Sequence, residues 1–229
     1  ENLDVVILCG GLSKRLRSQI GPSQKVMARV GERPFLDFIL DGIQQQGFQR
    51  VVMCTGFMAQ DVENYYQKNP RPFQFVFSRE EEPLGTGGAI KNARSLIHSS
   101  PFFVLNGDSF CPMDFQAFFQ FHREKKAIAS VAVSKLEDKK DFGSVQLDPS
   151  HKVIQFLEKS GESRCAYANT GVYLFQQDVF EYMPKQGNFS LEYDVFPKLT
   201  GKSYGFVFDG KFLDIGTPDR YASAREFFS

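Results

Sequence analysis

The chain has 229 residues, and its 27 basic and 27 acidic side chains cancel, so the net charge gives no attraction to nucleic acid or to a membrane surface. Any anion must therefore be bound by a local arrangement of groups. The N-terminus has no basic region before its short apolar run, and no segment approaches the length of a membrane span, so we expect a soluble cytoplasmic protein. The cysteines show no C-x-x-C spacing and are expected to be buried free thiols: Cys9, Cys54, Cys111 and Cys165.

Strands and helices are predicted to alternate in the first half of the chain. Short continuous apolar runs, which are typical of strands buried on both faces, lie at 5–8, 51–54, 73–77 and 102–105. Apolar residues at helical spacing between these runs predict helices at 35–43, 61–67 and 89–97. Alternation of this kind predicts an α/β fold with a mainly parallel sheet and helices on both faces.

The second half of the chain changes character. Strands with short connections are predicted at 128–133, 144–147, 153–156, 172–175 and 204–208, followed by a closing helix at 218–228. The turn residues at 148–151 predict a hairpin, and so an antiparallel addition that makes the sheet mixed. No repeat, low-complexity stretch or long linker separates the halves, which indicates a single domain over residues 1–229.

The first glycine-rich segment, from Gly10 to Arg17, follows the first predicted strand. Its glycines would let the backbone approach a polyphosphate closely, and Arg15 could fork onto the phosphate oxygens. An ordinary strand–turn–helix junction explains the same pattern equally well. Lys25 follows in a polar loop, where a solvated surface lysine is the default interpretation.

The second glycine-rich segment, residues 83–89, enters a helix after the acidic run 80–82. Backbone N–H and C=O groups exposed at such a turn could bind the flat edge of a base, because no bulky side chain blocks its approach. The alternative is a plain helix N-terminus with Thr86 near the cap. The segment alone does not separate the two interpretations.

Asp108 and Asp214 each end a short apolar run. Gly107 directly precedes Asp108, and one residue separates Asp214 from Gly216. This pattern is typical of side chains at the carboxyl edge of an α/β sheet, where ligands bind. Two carboxylates at that edge would hold a hard divalent cation such as Mg²⁺. The alternative is that they cap the helices predicted to begin near Asp114 and Pro218.

The remaining polar candidates lie in the second half. Glu158 and Lys159 end a predicted strand, where they suit a sugar hydroxyl and a phosphate, although a surface ion pair explains them as well. Asn169 opens the next predicted strand and could place its amide against sugar hydroxyls. Three histidines lie in polar segments, away from any Ser or Cys nucleophile pattern: His98, His122 and His151. This argues against Ser-His-Asp or Cys-His catalysis.

Taken in order, these segments resemble the sugar-1-phosphate nucleotidylyltransferase family. The resemblance runs from Val5 to Tyr221 and rests on eight elements in the family's order: the glycine loop with Arg15, Lys25, Leu84-Gly85-Thr86-Gly87, Asn106-Gly107-Asp108, Phe142-Gly143, Glu158-Lys159, Asn169-Thr170-Gly171 and Asp214-Ile215-Gly216-Thr217-Pro218. The segments 82–90 and 190–194, with the short length, are most similar to the D-glycero-α-D-manno-heptose 1-phosphate guanylyltransferases.

The resemblance implies a single-domain, Rossmann-like α/β fold of the nucleotidyltransferase (GT-A) type, with nucleotide-side elements at about 1–125 and sugar-phosphate-side elements at about 126–229. It also implies a reaction in which a sugar 1-phosphate attacks the α-phosphorus of a nucleoside triphosphate, with GTP favoured, to give a nucleotide-sugar for surface polysaccharide synthesis. A phosphate monoester has a second pKa of about 6, so this nucleophile needs no general base. Neither nucleic acid nor a membrane is an expected partner, and a homodimer is the default for a soluble enzyme.

The resemblance assigns roles to individual residues. Asp108 and Asp214 would hold Mg²⁺, Arg15 would neutralise the pyrophosphate, Lys25 the α-phosphate, and Lys159 the sugar phosphate. The nucleotide would be bound by Leu8, Gly10, Gly11, Ser13, Lys14, Arg15, Pro83, Leu84, Gly85, Thr86, Gly88, Asn106 and Gly107. The sugar phosphate would be bound by Gly143, Glu158, Lys159, Asn169 and Thr170.

Two alternatives remain open at this point. The first is a transferase that uses UTP, CTP or dTTP with another hexose 1-phosphate. The second is a catalytically inactive, nucleotide-binding regulatory homologue, because Ser13 and Lys14 replace the second glycine and the threonine of the family's usual loop.

Overall fold

The computed structural model describes residues 2–11, 15–21, 23–135, 143–157 and 167–228. The β-strands are β1 (Asp4–Leu8), β2 (Arg29–Val30), β3 (Arg33–Pro34), β4 (Arg50–Thr55), β5 (Gln74–Arg79), β6 (Phe102–Asn106), β7 (Ser109–Phe110), β8 (Ala129–Ser134), β9 (Ser144–Leu147), β10 (Val153–Leu157), β11 (Tyr167–Phe175), β12 (Ser203–Phe208) and β13 (Leu213–Asp214). The α-helices are α1 (Arg17–Ile20), α2 (Phe35–Gln45), α3 (Ala59–Lys68), α4 (Gly85–Asn92), α5 (Phe115–Lys125) and α6 (Pro218–Phe227). Short 3₁₀ helices lie at Lys25–Met27, Arg94–Leu96, Gln177–Tyr182 and Phe196–Leu199, and a π-helical turn lies at Leu191–Val195.

Nine of the strands form one mixed sheet. Its path is β10-β9-β11-β6-β1-β4-β5, with β8 pairing β11 and β12 pairing β8. The strands β6, β1, β4 and β5 run parallel, and β11 runs antiparallel to β6. The pair β9–β10 is antiparallel, as the turn residues between them predicted. The predicted fold class is therefore confirmed.

The central strands divide their side chains between two cores. In β1, Val5 and Ile7 face one hydrophobic cluster and Val6 faces the other, because successive side chains of a strand point to opposite faces. Helices α2, α3, α5 and α6 pack on the first face, whereas α4 and the helical turns after β11 pack on the second. Helices on both faces explain why these strands are continuous apolar runs rather than alternating ones.

The strand order reverses beside β1. From β1 the chain steps outward to β4 and β5 and then returns to form β6 on the other side of β1, so the connections after β1 and β6 leave in opposite directions. Leu8 at the end of β1 is in register with Asn106 at the end of β6, and the N–H of Gly107 donates to the carbonyl of Leu8 at 3.0 Å. A crevice outside this reversal is where open α/β sheets bind ligands.

The environment of His122 corrects one sequence-based prediction. His122 is not in a polar segment: its side chain is fully buried on α5, with Nδ1 2.8 Å from Ser130 Oγ and Nε2 3.1 Å from Gln176 Nε2. Burial lowers the pKa of His122 from 6.5 to about 4, so the imidazole is neutral. Because Ser130 is also fully buried, the pair offers no nucleophile to a substrate, and the argument against Ser-His catalysis stands.

Other predictions need smaller changes. The helix predicted at 89–97 begins at Gly85 and ends at Asn92, before a separate 3₁₀ turn, and Asn169 lies inside β11 rather than before a strand. Cys9, Cys54 and Cys111 are buried free thiols as predicted. The prediction for Cys165 falls outside the described residues. No helix in the described ranges is long and apolar enough to cross a membrane.

Candidate active site

Two adjoining cavities open at the carboxyl edge of β1 and β6. The first, which we call the apolar cavity, has a volume of about 310 Å³. It is lined by Leu8, Gly10, Gly11, Gln24, Lys25, Val26, Glu80, Pro83, Gly85, Thr86, Ala89, Asn106, Asp108 and Asn188. The second, which we call the charged cavity, has a volume of about 240 Å³. It is lined by Arg15, Lys25, Thr86, Asn106, Asp108, Ser109, Gly143, Asn169, Thr170, Gly171, Glu192, Phe212, Asp214, Gly216 and Arg220.

Four residues belong to both cavities: Lys25, Thr86, Asn106 and Asp108. The two cavities are therefore adjacent parts of one site, with a lysine and a carboxylate where they meet. A larger cavity of about 660 Å³ lies elsewhere, near the C-terminal end of α2, and contains none of the predicted site residues. We assign the site to the smaller pair because the charged groups converge there.

Asp108 and Lys25 form an ion pair at the meeting point of the cavities. Lys25 Nζ donates to Asp108 Oδ2, and the lysine side chain is only 15% exposed, so it is not a solvated surface lysine. Burial alone would raise the pKa of Asp108, but the charge and hydrogen bond of Lys25 outweigh it and hold that pKa below its ordinary value. Asp108 is therefore a carboxylate at neutral pH.

Asp214 reaches the same cavity by a route that the sequence did not predict. It does not end a strand of the main sheet; it lies in β13, which pairs antiparallel with β7 so that Asp214 is in register with Ser109. The N–H of Ile215 donates to the carbonyl of Asp108 at 3.0 Å. This small two-stranded ribbon places both aspartates side by side although they are distant in sequence.

Asp214 is held by a cation and a backbone group. Arg220 Nη1 donates to its Oδ2, and the N–H of Gly216 donates to its Oδ1 at 2.5 Å. Burial raises the pKa of Asp214 above its ordinary value despite these contacts, and the negative charge of Asp108 adds to the rise. The two carboxylates are thus close enough to repel each other.

Neither aspartate acts as a helix cap. The side chain of Asp114 caps α5 by accepting from the N–H of Ala117 at 2.9 Å. Thr217 caps α6 by accepting from the N–H of Arg220. The capping alternative for Asp108 and Asp214 is therefore wrong.

The donor set fits a cation that also binds a ligand. In the described part of the chain, no group of three or more His, Cys, Asp or Glu side chains could hold a metal ion by themselves. Two mutually repelling carboxylates in one cavity are nevertheless sufficient for Mg²⁺, which is usually held by one or two carboxylates together with substrate phosphates.

The floor of the apolar cavity combines glycine backbone with one carboxylate. Glu80 Oε2 accepts from the N–H of Leu84 at 3.0 Å, and burial raises the pKa of Glu80. A Cβ atom at Gly10 would collide with the Glu80 carboxylate, so the glycine is required for the carboxylate to occupy this position. Glu80 was not among the predicted site residues, because nothing in the run 80–82 distinguishes it from its neighbours.

The wall of the apolar cavity is the start of α4. Gly85 has a φ of +72°, and a Cβ there would lie 2.5 Å from the carbonyl oxygen of Phe189. Thr86 does not cap the helix by a side-chain hydrogen bond; its hydroxyl donates to Glu192 Oε2 at 2.8 Å. Three predicted nucleotide residues line neither cavity: Leu84, Gly88 and Gly107.

Two buried polar atoms beside the apolar cavity have no hydrogen-bond partner among the described residues: Gln24 Nε2 and Asn106 Oδ1. The other end of the Gln24 amide is satisfied, since Oε1 accepts from the N–H of Val26 at 3.0 Å. A buried donor and a buried acceptor left unsatisfied cost free energy, and such groups are usually satisfied by water or a ligand. Both residues therefore indicate a polar ligand.

Three of the residues predicted to bind the sugar phosphate line the charged cavity: Gly143, Asn169 and Thr170. The carbonyl of Gly143 accepts from the N–H of Asn169 at 2.8 Å. The hydroxyl of Thr170 points away, donating to the carbonyl of Ala132 at 2.9 Å. Four predicted site residues lie outside the described residues: Ser13, Lys14, Glu158 and Lys159.

Comparison with known proteins agrees with this geometry. The chain matches the nucleotidyl transferase family over residues 4–229. The chain belongs to this family. The predicted sugar-1-phosphate nucleotidylyltransferase is thereby confirmed at the level of the family.

Individual members of the family are similar over nearly the whole chain. The D-glycero-α-D-manno-heptose 1-phosphate guanylyltransferase of Aneurinibacillus thermoaerophilus is 35% identical over 226 residues, covering 98% of this chain and 97% of that protein. The crystal structure of HddC from Yersinia pseudotuberculosis has a TM-score of 0.89 at 36% identity, covering 99% of this chain and 100% of that chain. A structure of HddC complexed with GMP-PN has a TM-score of 0.87 at 35% identity and the same coverage.

Proposed function

We propose that this protein transfers a guanylyl group from GTP to D-glycero-α-D-manno-heptose 1-phosphate, releasing pyrophosphate. One observation carries the proposal: an apolar cavity and a charged cavity adjoin at Lys25, Thr86, Asn106 and Asp108. A base and ribose suit the first cavity, and the reacting phosphates suit the second. The guanylyltransferase of A. thermoaerophilus and the GMP-PN complex of HddC support the choice of nucleotide and sugar.

Glu80 fits a guanine base. The Watson–Crick edge of guanine carries two adjacent N–H donors, N1–H and the exocyclic N2 amine, and adenine lacks that amine. A carboxylate in a buried position accepts hydrogen bonds and donates none, so it favours a base edge that presents donors. The N–H of Leu84 donates to only one of the two carboxylate oxygens of Glu80, Oε2.

The charged cavity supports catalysis by positioning and charge neutralisation. Asp108 and Asp214 would hold Mg²⁺, which neutralises charge on the reacting phosphates when it is bound. Lys25 lies where the cavities meet and is suited to the α-phosphate, and Arg15 at the edge is suited to the pyrophosphate. The sugar phosphate is already ionised near neutral pH, so the site needs no base to activate it.

The assignments on the sugar side rest on the lining of the charged cavity and on the family resemblance. We assign Asn169 to a sugar hydroxyl because its amide lines the charged cavity. Glu158 and Lys159 keep their proposed roles on the sugar and its phosphate. We divide the chain into nucleotide-side elements at about 1–125 and sugar-side elements at about 126–229. The lining of the apolar cavity supports this division, because all its described lining residues except Asn188 lie in the first part. Homodimer formation and a cytoplasmic location stay predictions.

The direct test is pyrophosphate release from GTP, UTP, CTP and dTTP, each with heptose, mannose or glucose 1-phosphate. We expect the highest kcat/KM with GTP and heptose 1-phosphate. Higher turnover with another pair would contradict the proposed specificity but keep the reaction. Binding of a triphosphate with no pyrophosphate released under any pair would favour the regulatory alternative.

Glu80→Gln tests the base assignment. Losing a charged acceptor should raise the KM for GTP by about 10- to 100-fold, because hydrogen bonds to charged groups contribute about 1.5–3 kcal/mol. Glu82→Gln is the matched control, since Glu82 is exposed in the same acidic run and lines neither cavity. An unchanged KM for GTP in Glu80→Gln would remove Glu80 from base recognition.

A further inference from the structure

The π-helical turn Leu191–Val195 carries a carboxylate into the charged cavity. Glu192 is half-buried there and contacts both sides of the site. Its Oε2 accepts from the hydroxyls of Thr86 at 2.8 Å and Ser190 at 2.6 Å. Its Oε1 accepts from the hydroxyl of Tyr173 at 3.4 Å. The proposed function gives this residue no role.

The contacts continue from Tyr173 to the proposed sugar-binding amide. Asn169 Nδ2 donates to the Tyr173 hydroxyl at 2.8 Å, and Asn169 Oδ1 accepts from the N–H of Gly171 at 3.0 Å. A chain of hydrogen bonds thus runs from Thr86 at the start of α4, through Glu192 and Tyr173, to Asn169 in β11. Its ends lie in the two halves of the site.

The proton positions along this chain follow from the chemistry of each group. A carboxylate only accepts, so the Tyr173 hydroxyl hydrogen points to Glu192 and its oxygen is left to accept from Asn169. The Gly171 N–H occupies the amide oxygen of Asn169, so the amide cannot flip without losing both contacts. Because an amide nitrogen carries two hydrogens and the described residues supply a partner for one of them, the second N–H of Asn169 is available to a ligand in the charged cavity.

The Thr86 end of the chain is fixed in the same way. The Thr86 hydroxyl accepts from the N–H of Leu191 at 2.9 Å, so its one hydrogen is directed to Glu192. The carboxylate therefore joins the wall of the apolar cavity to the sugar side of the charged cavity. A glutamine at this position would keep only one acceptor oxygen, so it could no longer accept from both the Thr86 and the Tyr173 hydroxyl.

We propose that Glu192 is a positioning residue for the sugar 1-phosphate, acting through the Tyr173 hydroxyl to orient the Asn169 amide toward a sugar hydroxyl. The inference rests on the proposed function, because it takes the sugar to bind beside Asn169. Glu192 takes no part in the bond changes. Its contribution is to the binding and orientation of the sugar, and the selection of the base belongs to other groups.

Three variants test the inference. Glu192→Gln keeps the size of the side chain but replaces one of its two acceptor oxygens with an N–H₂ donor and removes the charge, and Tyr173→Phe removes the intermediate hydroxyl. We expect each to raise the KM for the sugar phosphate by roughly tenfold, the effect of a lost orienting hydrogen bond, with the KM for GTP within about twofold of the wild type. The KM for the sugar phosphate in the double variant should be about that of the more affected single variant, because both substitutions break the same chain of hydrogen bonds.

Asp194→Asn is the matched control in the same π-helical turn. Asp194 Oδ2 accepts from the N–H of Ser190 at 2.8 Å, a contact within the turn itself. If the turn merely needs its carboxylates to fold, Asp194→Asn should raise the KM for the sugar phosphate as much as Glu192→Gln does, and that result would overturn the inference. A wild-type KM for the sugar phosphate in both Glu192→Gln and Tyr173→Phe would overturn it as well.

Isothermal titration calorimetry of heptose 1-phosphate binding separates this inference from the proposed function. Sugar phosphate binding that Glu192→Gln weakens by about tenfold supports the inference even where no pyrophosphate is released. Turnover that is normal in the wild type and equally normal in both variants leaves the function intact and removes the role of Glu192. Absence of sugar phosphate binding to the wild type overturns both.

Discussion

The apolar and charged cavities are lined by different kinds of group. The apolar cavity is formed mainly by loops of the first half and presents glycine backbone, two unsatisfied amide atoms and the carboxylate of Glu80. The charged cavity collects side chains from both halves, and each of its central carboxylates is paired with a cation, Asp108 with Lys25 and Asp214 with Arg220.

Under the proposed function, this difference separates selection of the nucleotide from the chemistry performed on it. A surface built of backbone has a fixed shape, which suits recognition of a flat base. Ion pairs that already compensate one another avoid the cost of isolated buried charges, and their members can be matched to the charges of a substrate. Substitutions in the two cavities should therefore impair different properties, nucleotide binding in the apolar cavity and turnover in the charged cavity.

The largest effect is expected from the paired aspartates. Asp108→Asn or Asp214→Asn removes a negative charge but keeps the shape, and we expect turnover to fall by about a thousandfold or more, because the electrostatic stabilisation of the phosphates is lost. Binding of GMP to the apolar cavity, measured by titration, should change little. Asp219→Asn, at an exposed position on α6, is the control. Near-normal turnover in both aspartate variants would remove the metal assignment.

A smaller effect, on stability alone, is expected from His122, which lines neither cavity. Its folded pKa of about 4 lies below the unfolded value of 6.5, so the unfolded chain takes up a proton first as the pH falls. This group's contribution to stability is therefore complete above pH 6.5 and lost toward pH 4, a change of about 3 kcal/mol.

Urea unfolding at several pH values measures this contribution. The free energy of unfolding of the wild type should fall more steeply between pH 7 and pH 4 than that of His122→Asn, while the two proteins share one pH profile of kcat. Equal slopes for the two proteins would show that His122 does not titrate as its burial implies.

The smallest effect is expected at the wall of the apolar cavity. Gly85→Ala should cost about 2 kcal/mol of stability and weaken GMP binding, because a Cβ at φ +72° is strained and also meets the Phe189 carbonyl. Gly31→Ala is the control, since Gly31 has a φ of +62° but nothing within 4 Å of its Cβ position. Its cost should be about 1 kcal/mol, with GMP binding unchanged. Equal losses in both variants would show that the wall has no steric role.

The sequence predicted those parts of the site that depend on local pattern. Asp108 follows a buried strand at the carboxyl edge, and Gly85 opens a helix, so their positions could be predicted from apolar runs and turn residues. Thr86 and Asn169 were predicted at their cavities on the strength of the family resemblance.

The rest of the site depends on contacts between distant segments. Arg220 is visible in the sequence only as one residue of an exposed-looking helix, and its pairing with Asp214 requires the turn between them to fold back. Glu192 acquires its role only when the π-helical turn packs against α4, which no periodicity predicts. Glu80 differs from its two acidic neighbours solely in its burial.

The ribbon formed by β7 and β13 has a consequence for how the protein is made. Asp214 joins the charged cavity through its pairing with Ser109, and the N–H of Ile215 donates to the Asp108 carbonyl, so that cavity requires a segment synthesised after every residue of the apolar cavity. The apolar cavity draws on segments made earlier, none later than Asn188. A nascent chain that has reached Asn188 therefore carries all the described residues that line the apolar cavity, while the charged cavity still lacks Asp214.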